Sequence, residues 1–388
     1  MRRIDLRLGV AALLAGALGT LAACGGGGGD AAAAVPAPPG ALSDQTAYSS
    51  AADASLAGTA EQASVTSHSV TIAGAPIAYR ASAGHLDARD PRSGATEASM
   101  FYVAYTVAAP AATRPIVFFY NGGPGSASVW LHLGSYAPRR VVTNAPAASV
   151  PLPFELVDNA ESLIDVADLV FVDAVGTGYS EAAAPATNQS FWSVDSDAGV
   201  MRDFIARYIA VNQRAASPTF LFGESYGTTR TAVLADLMLA AGMRLDGIVL
   251  QSSVLDYNSN CDFFAAATVS CAGSLPSYGE IGAWFQLVQP APAGSDAYAD
   301  ALRAFTSTTY APAVAAFLTT HQSPPAGLDV QLSALTGAPE ALWSANLDLD
   351  ATTFRSQLVP GQLLGRYDAR IVAPNGSALA ASGDPPWR

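Results

Sequence analysis

Gly223-Glu224-Ser225-Tyr226-Gly227 sets a serine between glycines where an apolar run, Pro218-Thr219-Phe220-Leu221-Phe222, gives way to the helical pattern of Thr228 to Ala241. A strand, a sharp turn and a helix in that order lift a serine hydroxyl clear of the backbone, which is the G-x-S-x-G arrangement of a nucleophile. Such a hydroxyl attacks an acyl carbonyl once a histidine takes its proton, and the oxyanion that forms needs preorganised donors. A second segment fits that need. Asn121-Gly122-Gly123-Pro124-Gly125 follows the apolar run Pro115 to Tyr120, and glycines let backbone come close to a substrate. Taken alone, the same run reads as a tight turn. A third segment, Asp173-Ala174-Val175-Gly176-Thr177-Gly178, ends the apolar run Asp168 to Val172. It is not a phosphate loop, because all 19 basic residues are arginine and the P-loop lysine is missing. For the same reason no Ser-Lys dyad or Schiff base is available.

The base is harder to find. On this type of sheet the triad runs Ser, then acid, then His. Only His321 follows Ser225, in Thr319-Thr320-His321-Gln322-Ser323-Pro324-Pro325, at the end of an Ala/Leu-rich helical stretch. An imidazole suits a helix C-terminus, so the structural reading is preferred there. His68, His85 and His132 precede the serine in strand or loop contexts.

The elements that would carry these residues alternate in kind. Ser67 to Ile72, Ala75 to Ala83 and Ala98 to Val107 alternate apolar and polar residues and read as antiparallel strands, with a hairpin at Gly74. Helical periodicity spans Ser193 to Arg214, and Gly247 to Ser252 reads as a further buried strand. Strands alternating with helices predict a mostly parallel sheet with helices on both faces, and the glycine-rich turns fall at strand C-terminal ends, where such sheets place their sites. After Asn258, Ala/Leu-rich helical stretches alternate with prolines, which reads as a helical insertion or cap. The predicted organisation is a core over 65–258, an insertion over 259–364 and a return segment over 365–388. The chain is long enough, and at 50% hydrophobic residues apolar enough, for a large folded body. Its net charge of −13 argues against nucleic acid as a partner.

Tyr120 to Ser128, Val175 to Ser180 and Gly223 to Gly227, in this order, resemble the serine carboxypeptidase family, peptidase family S10. The resemblance implies an α/β-hydrolase fold and release of C-terminal residues from peptides through an acyl-enzyme on Ser225, without metal or cofactor. It implies the backbone N–H groups of Gly123 and Tyr226 as oxyanion donors, and Asn121 and Glu224 as holders of the substrate's C-terminal carboxylate. Family members add a second glutamic acid, and the paired carboxyls favour acidic pH because each raises the other's pKa. Ser135 stands at that position here, with His132, Arg139 and Arg140 nearby as replacements or simply as packing and solvated groups. The family's cysteine after the glycine run is Ser126 here, so its usual disulfide at that point is absent. Gly365-Arg366-Tyr367-Asp368-Ala369-Arg370 resembles a segment that bacterial relatives carry before their last catalytic strands, so Asp368 is not the expected triad acid. The simplest account of the missing acid and histidine is a C-terminally truncated product, which as it stands would be nearly inactive. Two other readings are a non-catalytic peptide-binding surface lipoprotein and an esterase or acyltransferase on the same fold.

The N-terminus carries its own signals. Arg2, Arg3 and Arg7 precede a short apolar run, Leu8 to Leu18, and Leu21-Ala22-Ala23-Cys24 resembles the lipobox of bacterial lipoproteins. This predicts a signal peptide over 1–23, lipidation of Cys24, a Gly/Ala/Pro/Ser-rich tether over 24–64 and a lipid-anchored place at a bacterial cell envelope, on the periplasmic face or outer membrane. Cys261 and Cys271 read as a local disulfide in that oxidising compartment or as two buried thiols.

Overall fold

The structure, a computed structural model, describes residues 44–107, 113–143, 154–261 and 269–377. The expected signal peptide, Cys24, residues 25–43 of the expected tether and residues 378–388 of the return segment lie outside the described residues.

One mixed sheet carries the site. Its strands are β1 (Gln62–Ile72), β2 (Ala75–Arg89), β3 (Thr96–Val107), β4 (Ile116–Tyr120), β5 (Asp168–Val172), β6 (Thr219–Glu224) and β7 (Gly247–Gln251), in the spatial order β1-β2-β3-β5-β4-β6-β7. A two-residue strand, Glu181–Ala182, pairs with the outer end of β3. The first three strands are antiparallel, β3 pairs antiparallel with β5, and β5, β4, β6 and β7 run parallel. Ala73 and Gly74 close the β1–β2 hairpin with φ of 48° and 81°, the two positive angles that a tight two-residue turn requires.

The central strands are largely apolar because both faces are covered. Successive side chains point to opposite faces. Phe118, Val170, Val172 and Leu221 therefore join one core with Met201, Phe204 and Tyr208 of helix α1 (Val194–Val211). Phe119, Leu169, Phe171 and Phe222 join the other, with Leu131 and Ile164. Helix α1 starts where Ser193 caps it, its hydroxyl accepting from Ser196 N at 3.2 Å, with Asp195 and Asp197 in the first turn. Helix α2 (Tyr226–Ala240) leaves β6 directly at Ser225. The strand order and the strand–turn–helix at the serine make this an α/β-hydrolase fold.

The expected helical insertion is formed by α3 (Leu275–Trp284), α4 (Ser295–Phe305), α5 (Ala311–Thr320), α6 (Leu328–Thr336), α7 (Glu340–Ala345) and α8 (Ala351–Gln357). They enclose a separate core around Tyr278, Tyr310, Leu332, Trp343 and Phe354. A disulfide joins Cys261 to Cys271 where the chain enters this region. A short ribbon, Gln362–Leu364 paired with Val372–Pro374, follows, and Tyr367 between them packs on Trp130 of the core at 6.1 Å.

Two expectations change. Residues 44–64 are not a tether. Leu56 N donates to Ala182 O at 2.8 Å, Ala184 N to Leu56 O at 2.9 Å and Ser49 N to Glu181 Oε2 at 2.7 Å, and β1 begins at Gln62. Partners more than a hundred residues away order a stretch whose own composition offers no periodicity. The segment Gly247 to Ser252 is a strand but not a buried one. Ile248 and Val249 are 44% and 43% exposed, because β7 is the last strand of the sheet among the described residues.

Candidate active site

Ser225 occupies the sharp turn between β6 and α2 with φ 56° and ψ −126°. A non-glycine residue in such a region carries strain of about 1–3 kcal/mol and persists only where neighbours over-determine it. Here they do. Ser225 N donates to Gln251 O at 3.0 Å, and Ser225 O accepts from Thr228 N at 2.8 Å and Thr228 Oγ1 at 2.7 Å. The flanking glycines are a steric requirement. A Cβ on Gly223 would lie 2.3 Å from Gly227 O, and one on Gly227 would lie 3.0 Å from Tyr120 O.

The glycine loop after β4 docks on this turn. A Cβ at Gly122 would sit 2.5 Å from Tyr226 N and 2.6 Å from Glu224 O. This close approach brings the backbone at Gly122-Gly123 against the start of α2. Tyr226 is the first helical residue, so its N–H has no intrahelical partner and lies at the positive end of the helix dipole. The loop that carries Gly123 and the first N–H of α2 are thus brought together beside the Ser225 turn. Asn121 and Glu224 are also brought together: Asn121 Nδ2 donates to Glu224 Oε2 at 3.0 Å, and Asn121 Oδ1 accepts from Leu131 N at 3.1 Å. Asn121 is buried and Glu224 is half-buried, so the pair presents one carboxyl to solvent from a fixed amide.

Three residues that the sequence did not single out hold this arrangement. Arg230, 1% exposed, lies one turn into α2 between the rings of Tyr120 and Tyr226, with its guanidinium carbon 5.3 Å from each centroid. Its Nε donates to Asp197 Oδ2 at 2.7 Å, and a terminal nitrogen donates to Asn121 O at 2.9 Å. One side chain thereby ties helix α1, helix α2 and the glycine loop together. Asp173, at the end of β5, accepts from Ser128 N at 2.8 Å and Tyr179 N at 3.4 Å and joins the glycine loop to the Gly176–Ser180 loop. Burial raises its pKa to about 6 even though both N–H groups favour the charged form. The available signals were an acid directly after the apolar run Leu169–Val172 and an arginine in the first half of α2.

None of the four histidines hydrogen-bonds Ser225. His68 bonds Thr66 at 2.7 Å on the edge strand, and His321 ends α5 in the left-handed region, exposed. His85 bonds Tyr179 O at 2.9 Å. His132 was a candidate replacement in the carboxylate site, and the structure removes it from that role. Its Nε2 bonds the Tyr105 hydroxyl at 2.7 Å, its ring stacks on Phe171, and desolvation pushes its pKa down to about 4. A neutral ring held this way offers no charge to a carboxylate. Arg139 and Arg140 are exposed, Arg139 facing Asp158 at 3.6 Å. Ser135 lies exposed in the turn His132–Tyr136. Asp368 pairs with Arg370 at 2.6 Å, which holds its carboxyl below the usual range.

The serine carboxypeptidase family model matches residues 73–272 of this chain. Serine carboxypeptidase-like 33 of Arabidopsis thaliana is 29% identical over 148 residues, covering 37% of this chain and 29% of the relative. Serine carboxypeptidase-like 45 of the same plant is 26% identical over 219 residues, covering 52% of this chain and 44% of the relative. The chain therefore spans less than half the length of these curated relatives. Among solved structures, the prohormone-processing carboxypeptidase Kex1 of Saccharomyces cerevisiae aligns over 77% of this chain and 58% of its own, at 17% identity and a TM-score of 0.41.

Proposed function

Because this chain belongs to the serine carboxypeptidase family, we propose that Ser225 is the acyl-accepting nucleophile of a site that takes the C-terminal end of a peptide. The observation that supports this reading is the close approach of the Gly122 backbone to Tyr226 N and Glu224 O at the Ser225 turn, together with the Asn121–Glu224 hydrogen bond. The hydroxyl oxygen attacks the scissile carbonyl, and its oxygen, becoming negative, meets the two N–H groups. The substrate's terminal carboxylate docks on Asn121 and Glu224. No histidine is placed to take the serine proton, so turnover by this chain is low and peptide binding outlasts it. That same observation favours a second reading, a peptide-binding lipoprotein without turnover. Either would act at a bacterial cell envelope, lipid-anchored through Cys24. The charged start, apolar run and small residues before Cys24 support this, as does the Cys261–Cys271 disulfide.

Titration calorimetry with N-acylated dipeptides tests the site. Free acids are expected to bind at least about tenfold more tightly than their C-terminal amides, a difference of about 1.4 kcal/mol, and Asn121→Ala is expected to erase the preference. Equal affinity for acid and amide would rule out the carboxylate site.

A further inference from the structure

Beside the oxyanion loop lies a pocket of about 450 Å³. Pro124 and Gly125 form one side, Val175 and Gly176 another, and Tyr226 and Arg230 close it toward α2. Its remaining wall comes from an unexpected part of the chain. Ser50 lines it, together with Phe191 and Trp192. Residue 50 lies outside the span 73–272 that the family model matches.

The segment around Ser50 is held in place on both sides. Asn188, completely buried, donates through Nδ2 to Ser49 O at 2.8 Å and to Ala51 O at 2.9 Å, while its Oδ1 accepts from Ala182 N at 3.0 Å. Glu181, also buried, accepts from Ser49 N at 2.7 Å. Gln189 N donates to Ala52 O at 2.9 Å and Asn188 N to Ala54 O at 3.0 Å. The carbonyls before and after Ser50 are thus clamped by one side-chain amide, and the Ser50 side chain is presented to the pocket from a fixed backbone. Asn188 is a positioning residue, and Ser50 is the residue a ligand would touch.

We propose that residues 44–56 form a specificity strap, with Ser50 as the small wall residue that leaves room for an aromatic side chain on the acyl side of the scissile bond. The proposal rests on the reading of Ser225 as the acyl-accepting nucleophile. Neither Asn121 nor Glu224, which hold the leaving residue's carboxylate in that reading, lines the pocket, and both oxyanion segments border it. This places the pocket on the acyl side. The lining chemistry selects the occupant. Arg230 and Asp197, the charged residues among the lining, neutralise each other at 2.7 Å, so a charged side chain finds no free counter-charge. Trp192, 55% exposed at the rim, and Phe191 and Val175 below it offer flat apolar surface that a ring would cover.

The test compares two N-acylated dipeptide free acids that differ only in phenylalanine or alanine on the acyl side. Affinities are read by calorimetry on the wild-type chain, Ser50→Trp, Ser50→Gly and Trp192→Ala. The wild type and Ser50→Gly are expected to prefer phenylalanine by about tenfold or more. Ser50→Trp, which fills the pocket from an exposed position, is expected to bring that preference below about threefold by weakening the phenylalanine peptide more than the alanine peptide. Trp192→Ala removes the aromatic surface beside Ser50 and is expected to lower the preference by itself, and thermal unfolding of both variants checks that they fold. A preference untouched by Ser50→Trp overturns the strap while leaving the carboxylate site standing. Binding of both peptides with equal affinity to the wild type overturns the pocket assignment. Binding of neither overturns the strap and the functional reading together.

Discussion

The turn around Ser225 and the outer strand β7 belong to one sheet and are hydrogen-bonded to each other, yet they are finished to different degrees. At Ser225 the turn is braced by Gln251 and Thr228, the glycine loop is pressed on the first turn of α2, and the buried Arg230 and Asp197 satisfy one another. The buried side-chain atoms without partners, on Asp87, Glu97 and Glu280, lie elsewhere. One strand further out, Ile248 and Val249 stand 44% and 43% exposed, and Leu255 just beyond is 56% exposed. Exposed apolar side chains on both faces of an outermost strand mark a region suited to being covered. The Ser225 turn, the glycine loop and the Asn121–Glu224 pair therefore brace one another, with Gln251 of β7 as the one contact from the outer strand.

If the comparison holds, substitutions inside the braced unit cost much and substitutions at the open edge cost little. The largest effect is expected at Arg230. Arg230→Met leaves the Asp197 carboxylate buried and unpaired, which costs about 3–5 kcal/mol, and adding Asp197→Leu should restore most of that loss. Urea unfolding midpoints of the single and double variants measure it. If the single variant unfolds at the wild-type midpoint, the pair does not hold the site together.

His132 provides the next effect. Its pKa is about 4 in the folded chain and about 6.5 when unfolded, so the unfolded state binds the proton more readily. Its contribution is complete above pH 6.5 and is lost as pH falls through 4, up to about 3 kcal/mol in all. Unfolding free energies between pH 7 and pH 4 should therefore fall less steeply in His132→Gln than in the wild type. Equal slopes would remove the packed, neutral imidazole from the account. A somewhat smaller loss, about 1–3 kcal/mol, is expected for Gly122→Ala, whose Cβ collides with backbone at Tyr226 and Glu224. Affinity for peptide free acids should drop with it, because that contact seats the glycine loop against Tyr226 and Glu224. The smallest effect belongs to the open edge. Val249→Thr should change stability by no more than about 0.5 kcal/mol. A loss several times larger would mean that this edge is already covered in solution.

What was legible in the sequence follows the same division. The continuous apolar runs at Pro115–Tyr120 and Asp168–Val172 and the glycine-flanked turns announce central strands and their C-terminal loops, because burial on both faces leaves no other pattern. The Ser225 turn was legible for the same reason: a side chain at 223 would collide with Gly227 O, and one at 227 would crowd Tyr120 O. The arginine clamp was not, since Arg230 becomes a buried tie only through Asp197, 33 residues earlier, and the carbonyl of Asn121, 109 residues earlier. Residues 44–56 were read as tether because their order comes from Asn188 and Glu181, more than 130 residues away. The outer strand was read as buried because an apolar run reports what could be covered, and here the open edge leaves two of its side chains exposed.

The central proposal is that Ser225 is the nucleophile and that none of the four histidines of this chain serves as its base. A fluorophosphonate probe reads this directly, since it reports the serine's reactivity rather than its position. The account predicts labelling confined to Ser225, abolished by Ser225→Ala, and slower than labelling of an intact Ser-His-Asp site by about 10⁴-fold or more. Labelling of Ser225 at the rate of an intact triad would show that a base reaches it and would contradict the account.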